Sequence, residues 1–388
     1  MTSDFDTIID RRGMNSLKWD VAEDELPMWV ADMDFPVAKP ILDAVLAKVR
    51  RASFGYGVVP PEFAGAIGSW WLSRYDWEID PEWVVFCDGI MPAVSSLIRT
   101  LTSPGDPIVV QSPVYNCFYS TVAECGRVIS ANNLRYEHGR FSIDWEDLEA
   151  KLADPRATVF LLCNPQNPTG QIWSREDLAR VGALARAHGV LVVSDEIHCD
   201  ITEPGARYTP FASAGEDCTH GVTMVSPTKP FNIPGLQSAA AIVPDPGLRA
   251  QVAASLQRDE ICLPNSFAVE AAIAAYTQSA DWLDQMRAYV WNNKARLSSY
   301  VSAHLPQLSV IPSQATYLCW VDCSNLTDDT VGFCDFLRKE TGLILNPGQM
   351  YGDNTRSFVR INLACPASLL EDGLSRLTRG VQAWETAH

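Results

Sequence analysis

The chain carries no C-x-x-C pair among its eleven cysteines and no H-x-x-x-H pair among its six histidines. Eleven is an odd number and the cysteines are scattered, which excludes a disulfide framework and a spaced zinc site and leaves small, reduced, buried thiols. Cys319 and Cys323, four apart in an apolar run, fit that description. Positive charge is scarce too. Thirty Lys and Arg stand against 47 Asp and Glu, a net charge of −17. That balance excludes a phosphate backbone or an anionic membrane as the main partner, though not a local cationic pocket for a small anion. There is no long hydrophobic run either. The longest uncharged stretch, Pro230 to Pro244, is broken by Asn232, Pro234 and Gln237, so no membrane span is expected. The opening Met1-Thr2-Ser3-Asp4-Phe5-Asp6 has neither the basic start nor the apolar run of a signal peptide, and the expectation is a cytoplasmic protein. Repeats and low-complexity tracts are absent.

What is present is ordinary globular composition, 47% hydrophobic and 20% charged, over 388 residues. That length exceeds one small core and suits two domains. Through about residue 245 strand-like and helix-like segments alternate. Pro40 to Arg51 and Glu62 to Tyr75 read as helices. Trp83-Val84-Val85-Phe86 and Asp106 to Val110 read as strands, and Ala93 to Leu101 as a helix. Ser174-Arg175-Glu176-Asp177 has the form of a capping box that opens a helix running to His188, where Gly189 stops it. Such alternation implies a mostly parallel, doubly wound sheet covered on both faces, the α/β class, in which ligands sit at the carboxyl ends of the strands. After Val243-Pro244-Asp245-Pro246 long helices take over, with short strands at Tyr317–Val321 and Phe358–Asn362, a second and smaller α+β unit.

Three apolar strands end in polar residues of the kind that do chemistry. Met224-Val225 leads into Ser226-Pro227-Thr228-Lys229. An amine at a buried strand end is desolvated, which lowers its pKa and makes it a nucleophile toward carbonyls. Val190 to Val193 leads into Ser194-Asp195-Glu196-Ile197-His198. Phe160-Leu161-Leu162 leads into Cys163-Asn164-Pro165-Gln166-Asn167-Pro168-Thr169-Gly170. In this order and spacing the three motifs resemble the pyridoxal-phosphate enzymes of the aspartate-aminotransferase fold (fold type I). The start of the chain narrows the likeness. Asp10-Arg11-Arg12-Gly13-Met14-Asn15-Ser16-Leu17-Lys18-Trp19-Asp20, followed by Pro27-Met28-Trp29-Val30-Ala31-Asp32-Met33-Asp34-Phe35, resembles the cystathionine β-lyase, or C–S lyase, branch. The resemblance runs from about Phe5 to Arg379.

The resemblance implies pyridoxal 5'-phosphate as cofactor and a role for each matching residue. Such chemistry needs a lysine for the cofactor aldehyde, an anion at the pyridine nitrogen, a donor to the phenolic oxygen and donors to the phosphate. Lys229 supplies the first and later shuttles a proton, and Asp195 supplies the second. Asn167 is the third, with His198 a second candidate where relatives often carry tyrosine. For the phosphate, Ser226 joins Gly89, Ile90 and Met91, which stand between strand and helix where backbone N–H groups and the helix dipole favour an anion. By family position Tyr115 stacks on the pyridine ring, and Tyr56 reaches the phosphate of a neighbouring subunit, which implies a homodimer. Around Tyr56 the pattern Gly55-x-Gly57 is no nucleotide fingerprint, because Pro60 stands where the last glycine would be. Arg360, in Ser357-Phe358-Val359-Arg360-Ile361-Asn362, matches the arginine that pairs bidentately with an amino acid α-carboxylate. Ala31, in the segment expected over the active site, and Asn167 complete the substrate set. One position departs from the pattern: relatives commonly place an arginine eight residues after the lysine, and here Gln237 stands there.

The favoured activity is β-elimination from cysteine S-conjugates such as cystathionine. The rivals are an aminotransferase using the same residues and a non-catalytic regulatory protein of the same fold. The expected division is a large cofactor-binding domain over 41–283, with 1–40 and 284–388 forming an arm and a small domain.

Overall fold

The computed structural model describes residues 4–388; Met1, Thr2 and Ser3, which head the opening segment read above, lie outside the described residues. Its centre is a seven-stranded sheet. In chain order the strands are β1 (Val84–Cys87), β2 (Pro107–Ser112), β3 (Val128–Asn133), β4 (Val159–Cys163), β5 (Leu191–Asp195), β6 (Val222–Val225) and β7 (Ala239–Ile242). They lie side by side as β1-β7-β6-β5-β4-β2-β3. Only β7 runs antiparallel to its neighbours, so the other six point their carboxyl ends to one edge. Strand order reverses between β2 and β4: the chain passes from β2 outward to β3, then returns to β4 and proceeds the other way. That crevice is where open α/β sheets bind ligands.

The sheet forms because its strands are apolar on both faces and its crossovers supply helices to both. Along β4, Val159, Leu161 and Cys163 face one core, and Phe160 and Leu162 face the other. The first core takes Val94 and Leu97 of helix Ile90–Leu101; the second takes Leu178 and Val181 of helix Arg175–Ala187. Each fully buried aliphatic side chain contributes about 1.5–3 kcal/mol. The expected capping box is present, Ser174 accepting from the backbone N–H of Asp177 at 3.0 Å and the Asp177 carboxylate accepting in return. One boundary moves. The helix expected from Ala93 begins at Ile90, because Pro92 is tolerated in a first turn where its missing N–H would lack a partner anyway.

A four-stranded antiparallel sheet holds β8 (Ser309–Val310), β9 (Leu318–Asp322), β10 (Asn346–Pro347) and β11 (Phe358–Asn362) in the order β8-β9-β11-β10. Its core contains Cys319, Val321, Val359 and Ile361 with Leu297 of the 25-residue helix Ala280–His304. Trp19, Leu26 and Met28 from the start of the chain join it. Leu26–Pro27 pairs in parallel with Leu343–Ile344. Residues 5–35 are irregular apart from that pair. All eleven cysteines are free thiols. Among the described residues no helix is long and apolar enough to cross a membrane.

Candidate active site

Three strand ends lie next to one another. Asp195 closes β5, Ser226 follows β6, and the Asn164–Gly170 turn follows β4, whose Cys163 is opposite Asp195 in the register. Register also carries the fourth piece. Cys87 pairs with Ala239, and the Ser226 hydroxyl donates to the Ser238 carbonyl at 2.7 Å, so Gly89 and the start of helix Ile90–Leu101 lie beside the Ser226 turn. No side chain caps that helix, and its first N–H groups face outward without an intrahelical partner. The Ser226 hydroxyl also accepts from the Thr228 N–H at 3.1 Å, which locks the turn before Lys229.

The Lys229 amine is ringed by protein and donates to the Ala31 carbonyl. Burial lowers its pKa to about 8; the carboxylates of Asp32 and Asp195 work the other way, and Arg360 adds to the depression. Asp195 is buried and accepts from the Ile197 N–H at 3.1 Å, and desolvation raises its pKa to about 6 despite that bond and the Lys229 charge. His198 is buried with its Nδ1 unpartnered, and desolvation, then the charges of Lys229, Arg360 and Lys294, lowers its pKa to about 3. Burial pushes the Tyr115 phenol upward, with Cys117 and Asp195 adding to it and Arg360 opposing. These groups feel one another's charge.

Arg360 is only 3% exposed, in the middle of β11. Its guanidinium donates to Asn167 Oδ1 at 3.1 Å and to the Trp29 carbonyl at 3.0 Å, lies 4.7 Å from the Tyr351 ring centroid, and keeps a buried Nε without a partner. A cation fixed from three sides with a donor to spare suits a carboxylate.

The arm reaches this site through paired charges and carbonyls. Lys18, 1% exposed, binds Asp34 at 2.7 Å and the Asp32 carbonyl at 2.9 Å, and the Trp19 indole donates to Asp34 at 2.7 Å. Arg11 pairs with Asp32 at 2.6 Å. Asn362 donates to the carbonyls of Val30 and Asp32, and Asn232 to those of Met33 and Phe35. Reading from sequence missed Asn232, Asn362, Tyr351 and Asp32 as parts of this site. The two asparagines stand three residues after Lys229 and two after Arg360, and that proximity was the available signal.

Two of the expected residues stand apart from this cluster. Tyr56 is fully exposed in the irregular stretch between helices Lys39–Arg50 and Pro61–Tyr75. Gln237 is exposed, with φ of 51°, at the end of a short 3₁₀ turn.

The family model of aminotransferase class I and II matches residues 28–377. Cystathionine beta-lyase PatB of Bacillus subtilis is 41% identical over 380 residues, 96% of this chain and 98% of that protein. Among solved structures, cystalysin from Treponema denticola, which contains a pyridoxal 5'-phosphate cofactor, superposes with a TM-score of 0.95 at 28% identity, covering 99% of this chain and 100% of that one. The PLP-bound C-S lyase from Staphylococcus hominis gives 0.92 at 30% identity, over 97% and 98% of the two chains. With the family model spanning nearly the whole chain and the sheet, strand ends and arm in their described places, this protein belongs to the aminotransferase class I and II family.

Proposed function

We propose that the chain is a pyridoxal-phosphate-dependent carbon–sulfur lyase, acting on cysteine S-conjugates such as cystathionine to give a thiol, pyruvate and ammonia. The observation that carries this reading is the Lys229 amine, desolvated at the end of β6 between the buried Asp195 and Arg360. The cavity fits the cofactor on its own chemistry. An uncapped helix start offers N–H groups to a phosphate, the buried Asp195 carboxyl makes no ion pair among the described residues, and the His198 Nδ1 lacks a partner.

When bound, pyridoxal phosphate supplies the aldehyde that takes the amino group and the protonated ring that draws electrons from Cα. Lys229 would hold the aldehyde at rest, and its amine, made less basic by burial, is the base that would take the Cα proton once freed. Asp195 would meet the ring nitrogen, where a cation would restore the ionised form that burial alone disfavours. Asn167 and His198 would meet the phenolic oxygen, and Tyr115 would cover the ring. Gly89, Ile90, Met91 and Ser226 would hold the phosphate, with no arginine to assist at Gln237. Arg360 grips the α-carboxylate, and Asn167 and Ala31 border the substrate. The overall conversion would break the C–S bond at Cβ and consume one water, giving the thiol, pyruvate and ammonia.

The working unit in this reading is a homodimer in the cytoplasm, Tyr56 serving the partner's phosphate. Its support is an exposed apolar patch of Phe54, Tyr56, Val58 and Leu263, a surface that monomers rarely leave open. The division into 41–283 and 1–40 with 284–388 belongs to the same proposal. Purified protein given cystathionine and no keto acid tests the activity. Pyruvate and a free thiol are expected; turnover only with a keto acid, the thioether left intact, makes the chain an aminotransferase.

A further inference from the structure

A further lysine is buried outside the hydrogen-bonded cluster of that site, though its charge reaches His198. Lys294, on the helix Ala280–His304, is 8% exposed. Its ammonium donates to Ser313 Oγ at 2.9 Å and to the Ala315 carbonyl at 3.1 Å, and lies 4.2 Å from the Trp291 ring centroid. Those two neutral oxygens use two of its three N–H donors. Among the described residues no carboxylate forms an ion pair with it; the charges that favour its protonated form are those of Glu203 and the Cys319 thiol, and burial outweighs them, lowering its pKa to about 8. A buried cation with a spare donor and no counter-ion is costly, and proteins tolerate one where an anion comes and goes.

The space in front of it is built for an organic anion. Lys294 lines an open cleft of about 720 Å³. Trp291, Val310 and Pro312 supply an apolar part of the lining, and Gln171 and Gln314, which also line it, have side-chain amides without hydrogen-bond partners among the described residues. The charged lining is Lys294 and Arg140 against Glu203 alone, an excess of one positive charge in a chain of net −17. Arg140 makes no ion pair among the described residues. The floor is rigid. Gly170, at φ +69°, accepts from the N–H groups of Gln314 and Ala315, and a Cβ there would come within 2.6 Å of Ser313.

We propose that this cleft is a second ligand site, which takes a small carboxylate with an apolar body, its charge on the spare N–H of Lys294 and its body on Trp291 and Pro312. The site does not depend on the lyase reading. Benzoate is the probe, with benzamide as the neutral molecule of the same shape, titrated by calorimetry into Arg360→Met holoenzyme so that the other buried cation does not compete. Saturable benzoate binding is expected, at least about tenfold tighter than benzamide and weakened at least about tenfold by adding Lys294→Met, a change of ~1.4 kcal/mol. Equal benzoate affinity with and without Lys294, or no saturable binding in the millimolar range, overturns the proposal. A measurement on the unaltered enzyme covers the case in which Lys294→Met fails to fold. Benzoate, against sodium chloride of equal ionic strength, should slow acetylation of Lys294 by an N-hydroxysuccinimide ester, read by peptide mass spectrometry. Unchanged labelling also overturns it.

Discussion

Two regions bury charge to a similar degree and treat it in opposite ways. In the arm, Lys18, Asp34 and Trp19 form a closed set in which the ammonium and both carboxylate oxygens find partners at 2.7 Å. At the strand ends Asp195 and His198 are buried and Lys229 half-buried, yet each is pushed toward its neutral form, Lys229 to about 8, Asp195 to about 6 and His198 to about 3. The arm spends its charges on holding position. The strand ends leave theirs incompletely matched, and a group so placed can take a proton, give one up, or meet a charged ligand. Burial alone therefore does not mark the chemistry; burial without a matched partner does.

Breaking the strand-end half gives the largest expected effects. Lys229→Ala should fold, lose the visible absorbance and the borohydride-fixable link of bound cofactor, and lose essentially all turnover. If colour and covalent link both persist, a different lysine is the anchor. Asp195→Asn preserves shape while removing the anion, and should lower kcat by several orders of magnitude at saturating cofactor, each tenfold corresponding to ~1.4 kcal/mol. Near-normal turnover would make Asp195 structural.

The arm half breaks differently. Lys18→Met leaves Asp34 buried with the Trp19 donor and the more distant Arg11 guanidinium at 3.6 Å, and losing one partner of a buried pair costs up to about 3–5 kcal/mol. A large drop in melting temperature is expected, with cofactor absorbance retained at low temperature. A variant as stable as the parent would remove the contrast between the regions.

The contrast sharpens with pH in cofactor-free protein. Asp195 has a folded pKa of about 6, above the ordinary 3.8, so between those values the folded chain binds more protons than the unfolded one. Its stabilising contribution is therefore present at low pH and is lost as pH rises through about 6. Relative to the parent, cofactor-free Asp195→Asn should gain up to ~3 kcal/mol between about pH 4 and pH 7, a shift of about two units at ~1.4 kcal/mol each. Parallel stability curves would show that the carboxyl is not held neutral. Smallest is Tyr56→Phe, expected to weaken cofactor binding modestly while sparing the fold. Mixed with Lys229→Ala chains, it should give hybrid dimers with about half the parental activity at limiting cofactor, since one site of each hybrid then carries neither change.

The strand ends were legible because each announces itself twice, as an apolar run and as the polar residue that stops it: Val193 before Ser194-Asp195, Val225 before Ser226, Leu162 before Cys163-Asn164. Periodicity says nothing about contacts between irregular segments. Asp34 meets Lys18 across sixteen residues of chain without a repeat, and only family likeness placed that stretch over the site. Tyr351 lies under Arg360 from a 3₁₀ turn, and no spacing rule joins them. The reversal of β7 was hidden as well, since Ala239-Ala240-Ala241 is as apolar as its parallel neighbours.

The arm's bonds also set a timetable for synthesis. Asn362 grips the Asp32 carbonyl 330 residues away, and the Asp34 N–H donates to the Ala364 carbonyl. The arm, made some 330 residues before those partners, is therefore among the last segments to find them. At about 5–20 residues per second, the arm waits from roughly a quarter of a minute to about a minute before they exist. Through that interval Trp19, Leu26 and Met28 have no core to enter, and a nascent chain stalled before residue 343 should expose them to a chaperone or a protease.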